Sequence, residues 1–183
     1  VFFGMVARFD PQKDHFNLLQ AIANISSHNY KVILVGTNVD SSNVKLLSWI
    51  DKLGISSKVI LSGQRSDIPD IMCGLDFLIL PSFYGEAFPN VLIEAMSVGT
   101  PCIATDIGDS ARIIGNYGWI VKPKSPSDLS NVINFAINLK INNIMEYNAI
   151  SEQCINRTKE KFSIESMIYK YKSVWNGEGD FLI

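Results

Sequence analysis

The sequence predicts a doubly wound α/β domain, a Rossmann-like parallel sheet covered on both faces, and three observations carry that prediction. Six short apolar runs recur, at Val1–Ala7, Lys31–Gly36, Lys58–Gly63, Asp76–Leu80, Cys102–Thr105 and Gly118–Val121. They are continuous rather than alternating in polarity, as in strands buried on both faces, and most are bounded by Gly, Pro or Asp. Segments with apolar residues three and four apart separate them. The resulting β-α-β-α order implies right-handed crossovers and ligands bound beyond the carboxyl ends of the strands.

Each element has a local reason. After the first strand, Asp14 is placed to cap a helix through Ser27, whose Phe16, Leu18, Leu19, Ile22, Ala23 and Ile25 form one buried stripe. Ser42 to Leu53 repeats the pattern after the second strand. Helices follow at Ile68 to Cys73, Asn90 to Val98, Ser110 to Ile114 and Ser127 to Leu139, one after each remaining strand. From Asn142 to about Trp175 the chain is again helical and amphipathic, with an apolar stripe of Phe162, Ile164, Met167, Ile168, Tyr171 and Val174 that wants a partner surface. No repeat, low-complexity tract or linker divides the 183 residues, so they read as one domain, 1–183.

Composition narrows the function. Sixteen Lys and Arg against eighteen Asp and Glu give a formal charge of −2, interleaved along the chain, which argues against a nucleic-acid partner. Cys73, Cys102 and Cys154 are far apart and odd in number, which fits reduced thiols and a cytoplasmic setting. No apolar stretch approaches the roughly 20 residues of a membrane helix, and no charged leader precedes an apolar segment. The chain opens on the apolar run Val1 to Val6 without an initiator Met, so the natural protein is expected to begin further upstream. Gly4-Met5-Val6-Ala7-Arg8 lacks the three-glycine turn of a dinucleotide-dependent dehydrogenase. A receiver-type or other non-catalytic phosphate-binding module is the reading from a different class. A receiver would need an acidic pair after strand one and an Asp after strand three, where this chain has Arg8 and Ser62-Gly63-Gln64.

Two clusters carry chemistry. Pro81-Ser82-Phe83-Tyr84-Gly85-Glu86-Ala87-Phe88-Pro89-Asn90-Val91-Leu92-Ile93-Glu94 follows the fourth strand and opens the next helix. Pro89 suits a first helical turn, leaving the amides of Asn90 and Val91 free to meet an anion. Glu94, four residues beyond Asn90 and on the same helical face, is placed to accept two hydrogen bonds from a ribose; Glu86, on the loop, is placed for hydroxyls of a second sugar across the phosphate. The second cluster, Ala7 to Asp14, sits beyond the first strand at the same sheet edge. Its Arg8 grips phosphate oxygens with a planar fork and its Lys13 acts as a movable point charge, together offsetting a diphosphate. Taken singly, Glu86 reads as a solvated loop residue, Glu94 as a carboxylate favouring the positive helix end, and the cations as surface residues beside Asp10 and Asp14. Their convergence on one edge is what argues for a site.

Arg8 and Lys13, followed at a distance by Glu86 and Glu94 with seven residues between them, resemble the group 1 glycosyltransferases. The likeness runs over essentially the whole chain and matches that family's carboxyl-terminal, donor-binding domain, one half of a GT-B fold in enzymes that retain anomeric configuration. The resemblance implies Arg8 and Lys13 on the donor diphosphate, Glu86 on the donor sugar and Glu94 on the ribose. It implies phosphate or sugar contacts from the amides near Phe88, Asn90 and Val91. Gly63-Gln64-Arg65 resembles the segment where relatives hold the base by backbone contacts. The helical tail, about 142–176, resembles the one that crosses back to an amino-terminal acceptor domain absent here. Further implications are a nucleoside-diphosphate sugar as substrate, no metal or other cofactor, little transfer by this portion alone, and peripheral association of the parent protein with the inner face of a membrane, lipid-linked acceptors being common in the family. A nucleotide-sugar epimerase or phosphorylase of the same fold is the enzymatic alternative.

The chain departs from the family pattern at Asp14-His15, where many relatives have Gly after the Lys, and at Pro89, where many have Gly. His15 reads as a solvated residue at a helix start, and His28 as structural or exposed. Trp49, Trp119 and Trp175 read as core or interface aromatics, since no basic residues interleave with them.

Overall fold

The computed structural model describes residues 1–27 and 29–177; the reading of His28 therefore lies outside the described residues. Six parallel strands, β1 (Phe2–Val6), β2 (Lys31–Val35), β3 (Val59–Leu61), β4 (Phe77–Leu80), β5 (Cys102–Thr105) and β6 (Gly118–Val121), form one sheet in the order β3-β2-β1-β4-β5-β6. Between and after them lie α1 (His15–Ala23), α2 (Val44–Lys52), α3 (Ile68–Cys73), α4 (Asn90–Ser97), α5 (Ser110–Ile114), α6 (Pro126–Asn142), α7 (Ile144–Phe162) and α8 (Ile164–Trp175). The expected doubly wound fold is the observed one, and all six apolar runs are strands.

The reason the runs lack polar alternation is visible in β4. Phe77 and Ile79 enter the core cluster under α1, α2 and α6, whereas Leu78 and Leu80 enter the cluster under α3, α4 and α5. All four are buried. Fully burying such a side chain contributes about 1.5–3 kcal/mol, so a polar residue at any of them would forfeit that gain and add an unpaired group. Phe77 anchors the first cluster, stacked on Phe3 at 5.3 Å and edge-on to Tyr147 at 5.4 Å and Trp119 at 5.9 Å.

Two segments differ from the sequence-based expectation. The first helix ends at Ala23, not Ser27, because the Asn24 amide turns back to Ala21 and Ile22; Ile25 remains buried from outside the helix. The expected tail divides at Ser163, whose extended backbone ends α7 and whose hydroxyl caps α8 at Ser166 N. α7 is anchored to this domain: Tyr147 Oη donates to Asp76 O, Ser151 Oγ to Gly99 O, and Arg157 to Ile113 O and Arg112 O. α8 buries none of its residues, and it carries the stripe of Ile164, Met167, Ile168, Tyr171 and Val174 on its surface with Trp175 88% exposed. Trp49 and Trp119 are half-buried against the core, as read. Among the described residues no helix is long and apolar enough to cross a membrane.

Candidate functional site

The sheet order reverses between β1 and β4, so the loops leaving these neighbouring strands flank the crevice in which such sheets bind ligands. β1 pairs with β4 at only two positions, Phe3 with Phe77 and Gly4 with Leu78, against five with β2. Both of the clusters singled out in the sequence lie on these two loops.

The loop after β1 is tightly built. Phe9 N donates to Thr37 O at 2.9 Å, and a 3-10 turn at Pro11–Lys13 is capped by Asp10, whose carboxylate accepts from Gln12 N at 2.9 Å. The bond from Gln12 N, and next the Arg8 guanidinium, hold the Asp10 carboxyl below the usual carboxylate range against some desolvation. Asp14 closes the turn at φ 47° and caps α1 by accepting from Asn17 N at 3.3 Å. Short polar residues are among those that tolerate this left-handed backbone, which explains how Asp14 stands where the family resemblance expects Gly.

Three contacts join the loops. Lys13 Nζ pairs with Glu86 Oε1 at 2.5 Å, the side chains being 15% and 8% exposed. Gln12 Nε2 donates to Gly85 O at 2.8 Å, and Phe83 N donates to Gln12 O at 2.8 Å. Gln12 also accepts from Arg8 Nη2 at 3.2 Å, so Arg8, Lys13 and Glu86 belong to one network. Glu86 is thus not the solvated loop residue it would be in isolation. Arg8, 58% exposed on its side chain and paired with Asp10 at 3.3 Å, keeps most of its fork in solvent.

The remaining candidates are placed differently. α4 starts at Asn90 with no side-chain cap, and Leu92 N turns back to Pro89 O, so the amides of Asn90 and Val91 stay open beside Glu86 in sequence. Glu94 is exposed and lines a cavity of about 570 Å³ with Val6, Ile68, Val91 and Val98. Asn90 and Phe88 instead line a cavity of about 720 Å³ with Ile93 and with Phe162, Met167 and Tyr171 of the tail. Asn90 and Glu94 stand one turn apart on the same side of α4, about 40° from each other around its axis, and each lines a different one of the two cavities. Gln64 accepts from Thr37 Oγ1 at 3.4 Å and Arg65 forks onto Asp67 at 2.8 and 2.6 Å, and among the described residues neither bonds to Arg8, Lys13 or Glu86.

His15 overturns its reading as a solvated residue. It is 2% exposed, tucked against the Phe9 ring at 5.2 Å, with neither ring nitrogen hydrogen-bonded. The left-handed turn at Asp14 directs α1 inward at its first residue, and helix-start polarity in a sequence does not show that. Burial, partly opposed by Asp10 and reinforced by Lys13, pushes the imidazole down to about 4, so it is neutral at pH 7. Sequence reasoning also missed Gln12, Ser82 and Gly108. Ser82 is fully buried and donates to Glu86 Oε1 at 2.6 Å. A Cβ on Gly108 would run into Glu86 O and lie 2.7 Å from Ala87 O. A small residue and a glycine just beyond strands at the ligand-binding edge were the available signals.

A cation bridging two loops at the switch point of a Rossmann-like sheet, in a loop that leads to an uncapped helix, marks the candidate site of this α/β domain. The chain belongs to the family described as glycosyl transferases group 1, which matches residues 1–160. It is 27% identical over 179 residues to the UDP-Gal:alpha-D-GlcNAc-diphosphoundecaprenol alpha-1,3-galactosyltransferase of Escherichia coli, covering 94% of this chain and 44% of that protein. It is 30% identical over 169 residues to the Vi polysaccharide biosynthesis protein VipC/TviE of Salmonella typhi, covering 90% and 28%. The chain thus spans less than half the length of these relatives. Among solved structures, HepE from Anabaena in complex with UDP superposes with a TM-score of 0.84 at 25% identity, covering 96% of this chain and 48% of that one. The fold, that of GT-B glycosyltransferase domains, also matches the C-terminal domain of a group 1 family protein from Francisella tularensis, with a TM-score of 0.76 at 21% identity and coverage of 89% and 86%.

Proposed function

We propose that this domain binds a nucleoside-diphosphate sugar and serves a retaining glycosyltransferase of glycan or cell-surface polysaccharide synthesis. The single observation that carries the reading is the sheltered Lys13–Glu86 pair, which joins the loops of β1 and β4 beside the open start of α4. An ammonium has three donors, and Lys13 spends one on Glu86, leaving two for phosphate oxygens. Arg8 supplies a second cation, and the amides of Asn90 and Val91 a third set of donors. Negative charge grows on the departing diphosphate as the bond to the sugar breaks, and donors already in place there lower the barrier selectively.

In this reading Glu86 accepts from the donor sugar, Glu94 from the ribose, and the backbone at Gln64-Arg65 faces the base. Arg8 and Lys13 provide the neutralising charge, so the reaction is proposed to run without a divalent metal and to survive chelator. The acceptor is proposed to sit on an amino-terminal domain facing this edge, with α8 crossing toward it, in a cytoplasmic protein associated peripherally with a membrane. HepE also forms a complex with UDP-glucose, and the E. coli relative is named for a UDP-Gal donor, which supports a sugar nucleotide as substrate.

Calorimetric titration with UDP, GDP and ADP and their glucose conjugates tests the reading. One nucleoside diphosphate is expected to bind, and Lys13→Ala to weaken it at least tenfold. Absence of binding by all of them, or unchanged affinity in Lys13→Ala, would refute it.

A further inference from the structure

Glu86 is held on one side only. Lys13 Nζ and Ser82 Oγ both reach Oε1, and among the described residues no donor reaches Oε2, which is not sealed from solvent either. The backbone beneath is fixed from two directions. Gln12 holds Gly85 O, and the loop after β5 closes against Glu86 and Ala87, with Asp109 N donating to Ala87 O at 2.9 Å. What remains free is the direction of the carboxylate itself.

We propose that Ser82 is a positioning residue for sugar recognition: its hydroxyl anchors Oε1 of Glu86 so that Oε2 is presented to a hydroxyl of the donor sugar. The proposal rests on the reading of Glu86 as the sugar's partner and adds a residue to it. Lys13 cannot do this work alone. It sits at the end of a flexible four-carbon stem, and with two of its three donors turned to the diphosphate its single bond to Oε1 does not fix the direction of the carboxylate. Ser82 is fully buried and cannot follow. Its own carbonyl is fixed from the end of β5, accepting from Thr105 Oγ1 at 2.6 Å, so the anchor is tied to the sheet rather than to a loop. A serine held only for packing would leave Glu86 a choice of directions. One held as an anchor acts on ligands that carry the sugar and not on those that lack it.

The test compares two ligands in three variants of this chain. The nucleoside diphosphate and its glucose conjugate that bind best among the UDP, GDP and ADP pairs are titrated into wild type, Ser82→Ala, Ser82→Cys and Glu86→Gln, with melting temperatures recorded for each. Ser82→Ala is expected to weaken the sugar nucleotide roughly 3- to 10-fold, the loss expected for one hydrogen bond of ordinary net strength, while the bare diphosphate stays within about twofold. Ser82→Cys, a weaker donor of similar size, falls between. Equal weakening of both ligands in Ser82→Ala overturns the role, because that is what a packing serine gives. Full sugar-nucleotide affinity in Ser82→Ala, while Glu86→Gln loses it, overturns the role of Ser82 and leaves that of Glu86 standing. Wild-type affinity in Glu86→Gln removes the reading of Glu86 and this inference with it.

Discussion

Lys13–Glu86 and Arg65–Asp67 are both ion pairs at the carboxyl edge of the sheet, each with a contact of 2.5 or 2.6 Å. Their surroundings differ. The first joins residues 73 apart in sequence with side chains 15% and 8% exposed; the second joins neighbours two apart, 48% and 37% exposed. An exposed local pair mostly organises its own turn and is screened by water. A sheltered pair between two loops needs the folded sheet to exist at all, and it concentrates charge where solvent is thin. Charge type and sequence motif alone do not separate the two, and burial with sequence separation does. The sharpest way to break this contrast is to cut each pair in the intact enzyme. Lys13→Ala is expected to lower turnover about 10²-fold or more, as for other groups that stabilise a developing anion, and Arg65→Ala to lower it less than about threefold. Similar losses from the two would show that shelter is not what marks the site.

The contrast can be sharpened by disturbing the shelter and leaving the charges in place. Gly108 has φ 58°, and its neighbour across the gap is the Glu86 carbonyl, which is backbone and cannot swing aside. Gly108→Ala is therefore expected to push the Glu86 loop outward. Turnover should fall about tenfold and unfolding free energy by about 1–3 kcal/mol, the usual cost of a side chain forced into that backbone region. Denaturant unfolding and steady-state kinetics on the same variant would check both. Gly54, at φ 67° but with open space where its Cβ would stand, is the matched control. Gly54→Ala should share part of the stability loss and none of the loss in turnover.

What was legible in the sequence follows the same division between local and long-range causes. The six strands could be read because each is an uninterrupted apolar run, and that property belongs to the run itself. The meeting of the loops that carry Arg8, Lys13 and Glu86 could be read because those loops leave neighbouring strands at the switch point, whereas Glu94 was singled out with them by a spacing from Glu86 that resembles a family pattern. Ser82, Gln12 and Gly108 could not, since a buried serine acquires a role only when Glu86 folds back over it from four residues away. His15 shows the limit most clearly. A histidine after Asp14 at a helix start has every local reason to be solvated, yet one left-handed residue turns it into the core.

His15 also offers the smallest and most specific test of how far shelter extends from the ion pair, since it lies two residues beyond Lys13. Its folded-state value of about 4, against 6.5 for a free imidazole, means that the unfolded chain binds the proton more readily. The stabilisation from keeping the ring neutral is thus fully present above about pH 6.5, declines as pH falls below that, and is gone below about pH 4. Its ceiling is about 3 kcal/mol, and between pH 7 and 5.5 the expected loss is about 1 kcal/mol. His15→Phe should remove this slope, because Phe fills the space beside Phe9 without a titrating group. The measurement is denaturant unfolding at pH 7, 6 and 5.5 for both proteins. A wild-type slope that persists in His15→Phe would assign the pH dependence to other groups. Desolvation raises the Asp14 carboxyl, so it would act in the opposite sense, adding stability as pH falls. A wild-type loss close to the expected one would therefore point to His15 alone, and a shallower one to Asp14 offsetting it.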